Sequence, residues 1–222
     1  MVNYYPVMWK LSGKKCLIVG GGHVAERKVK SLLEAGAHVT VVSPALTDQL
    51  TIWKTTGMLK ARMGLYESSD IKEDYVLAIA ATNEPAVNAQ VVRDARAYGV
   101  PIISVDDPEA GDFIVPAVLR RGRLVMAIST SGVSPVAATQ IRDQLEHQFG
   151  DEYEIYFDFL HEYRIELHRM NVSGTDRRVL MHKVMELDLL AKIREGSFSE
   201  WKKSLREELQ QWSGQGEGGN GE

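Results

Sequence analysis

The sequence predicts an α/β protein: a doubly wound parallel sheet over residues 1–112, a small α+β part over 113–149 and a helical C-terminal part over 150–212. Three observations predict it. Short β-branched runs alternate with amphipathic helices as far as Val105. A glycine cluster joins the first run to the first helix. The apolar spacing then changes at Pro108 and again at Asp151. Strands that alternate with helices of this length need a parallel sheet covered on both faces.

The elements follow in order. Cys16–Val19 is a short apolar strand, and glycines lead from it into a helix over Val24–Ala35. Val24, Val29, Leu32 and Leu33 give that helix one apolar face, and Gly36 ends it. Val39–Val42 is a second strand, closed by Ser43-Pro44. Leu46–Thr55 reads as helix, Leu59–Met63 as strand and Tyr75–Ala81 as a buried strand. Pro85–Tyr98 is a helix that stops at Gly99, and Ile102–Val105 is the fifth strand. Phe113–Val118 and Leu124–Ser129 then read as two strands joined by the basic turn Arg120-Arg121-Gly122-Arg123. A helix begins with Ser134 as cap and Pro135 at its first position, and runs to about Phe149. Beyond it, Ile155, Phe159, Tyr163 and Leu167 share one helical face, and Leu180, Val184, Leu187 and Leu190 do the same in a second helix. Residues 213–222 have almost nothing to bury and are expected to form a disordered tail.

Composition narrows the function. The 222 residues are 44% hydrophobic and 25% charged, the balance of an ordinary soluble protein. A single cysteine, Cys16, excludes an intramolecular disulfide and fits a reducing cytoplasm. No apolar run nears the roughly 18 residues that cross a bilayer, and the N-terminus lacks the apolar core of a signal peptide, so no membrane association is expected. A net charge of −4 argues against nucleic acid as the main partner.

The strongest motif is Gly20-Gly21-Gly22-His23-Val24-Ala25, read as G-x-G-x-x-A between a strand and a helix. Gly20 permits the tight turn, Gly22 lets a pyrophosphate approach the backbone, and Ala25 allows close packing of helix on strand. Free N–H groups and the positive end of the helix would hold the phosphates, making this a Rossmann-type dinucleotide site. A tight turn with no ligand is the plain alternative. At the end of the second strand, where an acid usually holds the adenine ribose of NAD, stands Ser43. Serine still bonds a ribose hydroxyl, and no arginine adjoins it to receive a 2′-phosphate, so NAD is favoured over NADP. Thr82-Asn83, after the fourth strand, lies at the same edge of the sheet. His23 faces either cofactor or water. Arg27-Lys28 face phosphate or solvent and are left out of the site.

Three stretches together resemble one family: CLIVGGGHVAERKVKSLLEAGAHVTVVSP, LAIAATNEPAVN and SVDDPEAGDFIVPAVLRRGRLVMAISTSGVSPVAATQIRDQLE. They are similar to the precorrin-2 dehydrogenases, both the free-standing bacterial enzymes and the dehydrogenase–ferrochelatase portion of siroheme synthases. The resemblance covers roughly residues 5–147. It implies an NAD-binding domain, a dimerisation domain over 113–149, a helical C-terminal domain, a homodimer, and oxidation of precorrin-2 to sirohydrochlorin with NAD as hydride acceptor. It assigns the catalytic role to Asp106; Asp106-Asp107-Pro108 is also ordinary turn chemistry. Where some siroheme synthases carry a phosphorylated serine this chain has Thr130, so that regulation is not transferred. Ser129, Thr130 and Ser134 offer hydroxyls to substrate carboxylates, or Ser134 merely caps its helix. Precorrin-2 carries eight carboxylates, which Arg120, Arg121, Arg123 and Arg142 are placed to meet unless they are simply solvated.

No metal site is expected, because the histidines lack partners at ligand spacing. Three readings remain: the dehydrogenase alone, a bifunctional enzyme that also inserts iron, and a non-catalytic NAD sensor. No methyltransferase extension is seen, so the chain is not expected to make its own substrate.

Overall fold

The computed structural model describes residues 4–170 and 173–215. The chain divides into two compact units, Met1–Val115 and Pro116–Glu222.

The first unit carries five parallel strands: β1 Lys15–Val19, β2 His38–Ser43, β3 Lys60–Met63, β4 Tyr75–Ala80 and β5 Ile102–Ser104. Their order is β3-β2-β1-β4-β5, so the winding direction reverses between β1 and β4. Leu17 is in register with Thr40 on one side and Ala78 on the other. Three helices connect them: α1 His23–Glu34, α2 Asp48–Thr55 and α3 Pro85–Ala97. Alternate residues of the central strand serve opposite faces. Cys16 and Ile18 join Val29, Leu32 and Leu50 in one core, while Leu17 and Val19 join Val91, Val92 and Ala95 in the other. Burial on both sides explains why these strands read as continuous apolar runs. Each fully buried valine, leucine or isoleucine contributes about 1.5–3 kcal/mol of transfer free energy.

Glycine ends α1 and α3 in the same way. Gly36, at φ +75°, donates to Leu33 O while Ala37 donates to Leu32 O; Gly99, at φ +66°, and Val100 repeat the pattern on Arg96 and Ala95. These bonds satisfy carbonyls that a helix end otherwise leaves open. The second helix starts two residues later than expected, because Thr47 is its cap and accepts from Leu50 N at 3.3 Å.

Cys16 is fully buried in β1, and burial pushes its thiol up to about 11. The thiolate is the reactive form. We expect iodoacetamide at pH 8 to leave the folded protein unlabelled and to label it quantitatively in denaturant; rapid labelling of the native protein would contradict the buried placement.

In the second unit a hairpin, β6 Ala117–Arg121 and β7 Leu124–Ile128, packs with α4 Pro135–Gln148. The expected strand over 113–118 starts only at Ala117. Asp112 is tied to β5 through Ile102, Phe113 packs on the first core, and Pro116 has no N–H to give a ladder. The expected four-residue basic turn is also corrected. Arg120 and Arg121 lie in β6, and the loop is Gly122-Arg123 alone, with glycine at φ +53° in its first position.

The rest is helical: α5 Glu152–Arg169, α6 Gly174–Met185, α7 Leu189–Arg194 and α8 Phe198–Gln215. Phe159, Tyr163 and Leu167 pack with Val184, Leu189 and Phe198, and the Phe159 ring lies 5.4 Å from those of Phe198 and Trp201. Ile155 belongs to no such core and is exposed. The single second helix expected through Leu190 is broken, because Asp188 caps α7 by accepting from Ala191 N; Leu187 is exposed and Leu189, not Leu190, is buried. α8 runs through residues 213–215 of the expected disordered tail, and 216–222 lie outside the described residues.

Candidate functional site

The site grows from the carboxyl ends of β1, β2, β4 and β5, where the sheet changes winding direction and ligands of such sheets bind. Backbone bonds lace these ends together. Gly20 N donates to Val42 O at 2.9 Å, Ala81 N to Val19 O at 2.7 Å, and Val105 N to Ala80 O at 3.0 Å.

Each glycine of the loop has its own reason. Gly20 holds φ +119°, and a Cβ there would lie 2.2 Å from Ala81 O. A Cβ on Gly21 would lie 2.0 Å from Ala45 O and 2.7 Å from Ser43 Oγ. Gly22 differs: nothing stands within 4 Å of its Cβ position. It is the N-cap of α1, with no side chain capping it, and among the described residues nothing accepts from the N–H groups of Gly22, His23 and Val24. Unclaimed donors at the positive end of a twelve-residue helix, beside a backbone without a side chain, suit a pyrophosphate. The residues present therefore fit a dinucleotide.

The neighbouring side chains have specific duties. Ser43 is buried, and its hydroxyl donates to Ala45 O at 2.7 Å, so it shapes the turn beneath Gly21 and has no proton left for a ribose. His23 is 90% exposed on its side chain, with Nδ1 3.7 Å from Glu26. Ala25 is buried against the sheet, while Val24 is partly exposed. Burial, with Arg27 alongside, lowers the pKa of Lys28. Thr82 holds the turn after β4 with its Oγ1 2.8 Å from Asn88 Oδ1, and Asn83 follows it.

Asn88 was not picked out in the sequence, and it organises this edge. Only 1% exposed, it accepts from Thr82 N at 3.1 Å and donates to Thr82 O at 3.1 Å. The signal was available: a polar residue on the same helical face as the buried Val91, Val92 and Ala95 demands a partner. Asn88→Ala would strand buried polar groups, and we expect it to lower the unfolding free energy by about 1–3 kcal/mol. Urea titration checks this; an unchanged midpoint would remove Asn88 from its role.

Asp106 follows β5. Ser104, itself 3% exposed, donates its hydroxyl to Asp106 Oδ1 at 2.6 Å. That bond, helped by the Asn88 side chain and the backbone N–H groups of Asp106 and Asp107, outweighs partial desolvation and holds the carboxyl below the usual carboxylate range. Asp107 plays the turn role instead, accepting from Ala110 N at 3.3 Å.

In the second unit the expected substrate residues are largely engaged with their own protein. Arg121 lies 3.2 Å from Glu146 and 3.5 Å from Asp151, Arg123 lies 2.9 Å from Asp158, and Arg142 lies 2.5 Å from Asp143. Arg120 is exposed and has no ion pair among the described residues. Thr130 Oγ1 donates to Ser134 O at 3.0 Å, Ser129 Oγ accepts from Ser131 N, and Ser134 caps α4 through Ala137 N at 3.1 Å. These hydroxyls build the loop that precedes α4. No group of three or more potential metal ligands occurs among the described residues.

A family model of NAD(P)-binding domains matches residues 7–117, half of the chain, and a model of the central part of sirohaem biosynthesis proteins matches 121–148. A siroheme synthase of Nitrosococcus oceani is 34% identical over 209 residues, which is 94% of this chain and 44% of the relative. The chain thus spans less than half the length of that siroheme synthase. The precorrin-2 dehydrogenase of Priestia megaterium is 32% identical over 182 residues, covering 82% of this chain and 89% of the relative. The solved structure of SirC, a precorrin-2 dehydrogenase, superposes with a TM-score of 0.73 at 29% identity, over 90% of this chain and all of that one. The chain belongs to the precorrin-2 dehydrogenase family.

Proposed function

We propose that the chain oxidises precorrin-2 to sirohydrochlorin, passing a hydride to NAD⁺ and releasing a proton. The observation that carries this reading is Asp106, an exposed carboxylate fixed by Ser104 at the sheet edge that also bears the open N–H groups of the glycine loop. Gly22, His23 and Val24 would hold the pyrophosphate through their backbone, with Thr82 and Asn83 beside them. When bound, NAD⁺ supplies the hydride acceptor.

The depressed pKa of Asp106 bears on its task. A carboxylate held ionised is a weak base toward a neutral substrate, and a good counter-charge for a macrocycle that turns cationic as hydride leaves. The same cationic character acidifies the departing proton, which Asp106 then accepts. Ser104 and Asn88 act by positioning. Arg120, which has no ion pair among the described residues, is the cation of the expected set left free to meet a carboxylate.

The siroheme synthase relatives favour one second activity, insertion of iron into the product, with Asp106 taking the pyrrole protons. A homodimer fits the second unit, where Val133, Val136 and Ile141 are exposed around the start of α4. A cytoplasmic location fits the lone free thiol. The test is anaerobic incubation with precorrin-2 and NAD⁺, following sirohydrochlorin and NADH together. Equal amounts of both support the reading. NAD⁺ binding without turnover would replace it with a sensor, and consumption of sirohydrochlorin on adding Fe²⁺ would add the chelatase.

A further inference from the structure

Between α5 and α6 lies a groove of 430 Å³ whose lining is cationic on one part and apolar on another. Arg164, Arg177 and Arg178 supply the charge, with two histidines beside them; Met181 and Met185 supply the apolar surface over the buried Leu167. No aspartate or glutamate lines it among the described residues.

Among the described residues, five arginines elsewhere in the unit are engaged, while Arg120 and Arg169 are not. Arg121, Arg123, Arg142, Arg194 and Arg206 each have a carboxylate within 4 Å. The three groove arginines have none among the described residues, although the chain as a whole carries a net charge of −4. Arg177 is also set against the electrostatics of its own helix. Its guanidinium lies 3.8 Å from the Cβ position of Gly174, at the N-terminus of α6, where the helix dipole is positive. Asp176 in the same turn is engaged by the Ser173 hydroxyl at 2.7 Å. An anion in the groove would relieve both features at once, since guanidinium forks and free helix N–H groups both favour carboxylates.

We propose that this groove binds a flat organic polycarboxylate, its carboxylates on Arg164, Arg177 and Arg178 and its face on Met181 and Met185. The apolar part decides the ligand class. A small inorganic anion gains nothing from two thioethers, whereas a conjugated ring makes favourable contacts with sulfur. The class includes the tetrapyrrole of the proposed reaction, and to that extent the inference rests on that reading.

The probe is uroporphyrin, a flat octacarboxylate that cannot be turned over, titrated into the full chain carrying ¹³C-methyl methionine. The methyl signals of Met181 and Met185 should shift and saturate. In the variant combining Arg164→Ala, Arg177→Ala and Arg178→Ala they should need about tenfold more ligand, the effect of losing three solvent-exposed ion pairs. The ligand-free methyl spectrum of that variant shows that it is folded, and the three lysine replacements should restore most of the binding. Unmoved Met181 and Met185 signals, an unchanged response in the alanine variant, or saturation by pyrophosphate but not by uroporphyrin would each overturn the proposal. Turnover of precorrin-2 is read separately, so the groove and the oxidation can fail independently.

Discussion

Asp106→Asn is expected to lower kcat/KM for precorrin-2 oxidation by about 10²–10⁴-fold, the range for losing a positioned acid–base group, while NAD⁺ binding persists. Asparagine keeps the shape and can still meet the Ser104 hydroxyl, so what is lost is the charge. Ser104→Ala is the graded companion. Without that hydrogen bond the carboxyl should titrate nearer its usual range, and the acid limb of the kcat/KM profile should move to higher pH. The sign for stability follows from the same shift. A carboxylate favoured by the fold adds stability above its unfolded pKa, and that increment disappears as pH falls through the lower folded value. Because Asp106 is exposed, solvent screens the increment, and the effect belongs in the rate profile more than in Tm. A wild-type rate in Asp106→Asn would remove the residue from the mechanism.

The parts of this fold legible from sequence were those that local chemistry decides. A strand buried on both faces must be apolar throughout, as Cys16–Val19 and Tyr75–Ala80 are, and a left-handed residue must follow a helix that stops sharply, as Gly36 and Gly99 do. The errors arose where distant partners decide. Nothing near Phe113 announces that Asp112 pairs with Ile102, which keeps that stretch with the first unit and delays β6 to Ala117. The arginines of the hairpin look free in a linear reading. Their carboxylates, Glu146 and Asp158 on later helices and Asp151 just before α5, are brought to them only by folding. Ser43 shows the same limit at the site: its position at the end of β2 was correct, but its proton is taken by Ala45 two residues on. Asn88 and Ser104 carry no motif, yet both are buried polar residues in apolar elements, and that conflict is the physical clue to positioning roles.

The glycine loop separates folding from binding, which makes its two outer glycines a matched experiment. Gly20→Ala places a methyl 2.2 Å from Ala81 O on a backbone at φ +119°, a conformation that L side chains rarely adopt. β1 and β4 would have to part at the centre of the sheet, and we expect a loss above about 4 kcal/mol, enough to unfold a marginal domain. Gly22→Ala adds the same methyl to open space, at φ −85° and ψ −174°, which any residue adopts. That variant should lose no more than about 1 kcal/mol, the cost of alanine for glycine at an N-cap, and stay folded where Gly20→Ala does not. Its methyl, however, occupies the space through which a pyrophosphate approaches the α1 N–H groups, so NAD⁺ binding should weaken by at least about tenfold, or 1.4 kcal/mol. Calorimetric titration of NAD⁺ against both variants distinguishes the two roles. If Gly22→Ala bound NAD⁺ as tightly as the wild type, the open backbone at Gly22 would not be the phosphate site, and the dinucleotide would have to be held elsewhere along the sheet edge.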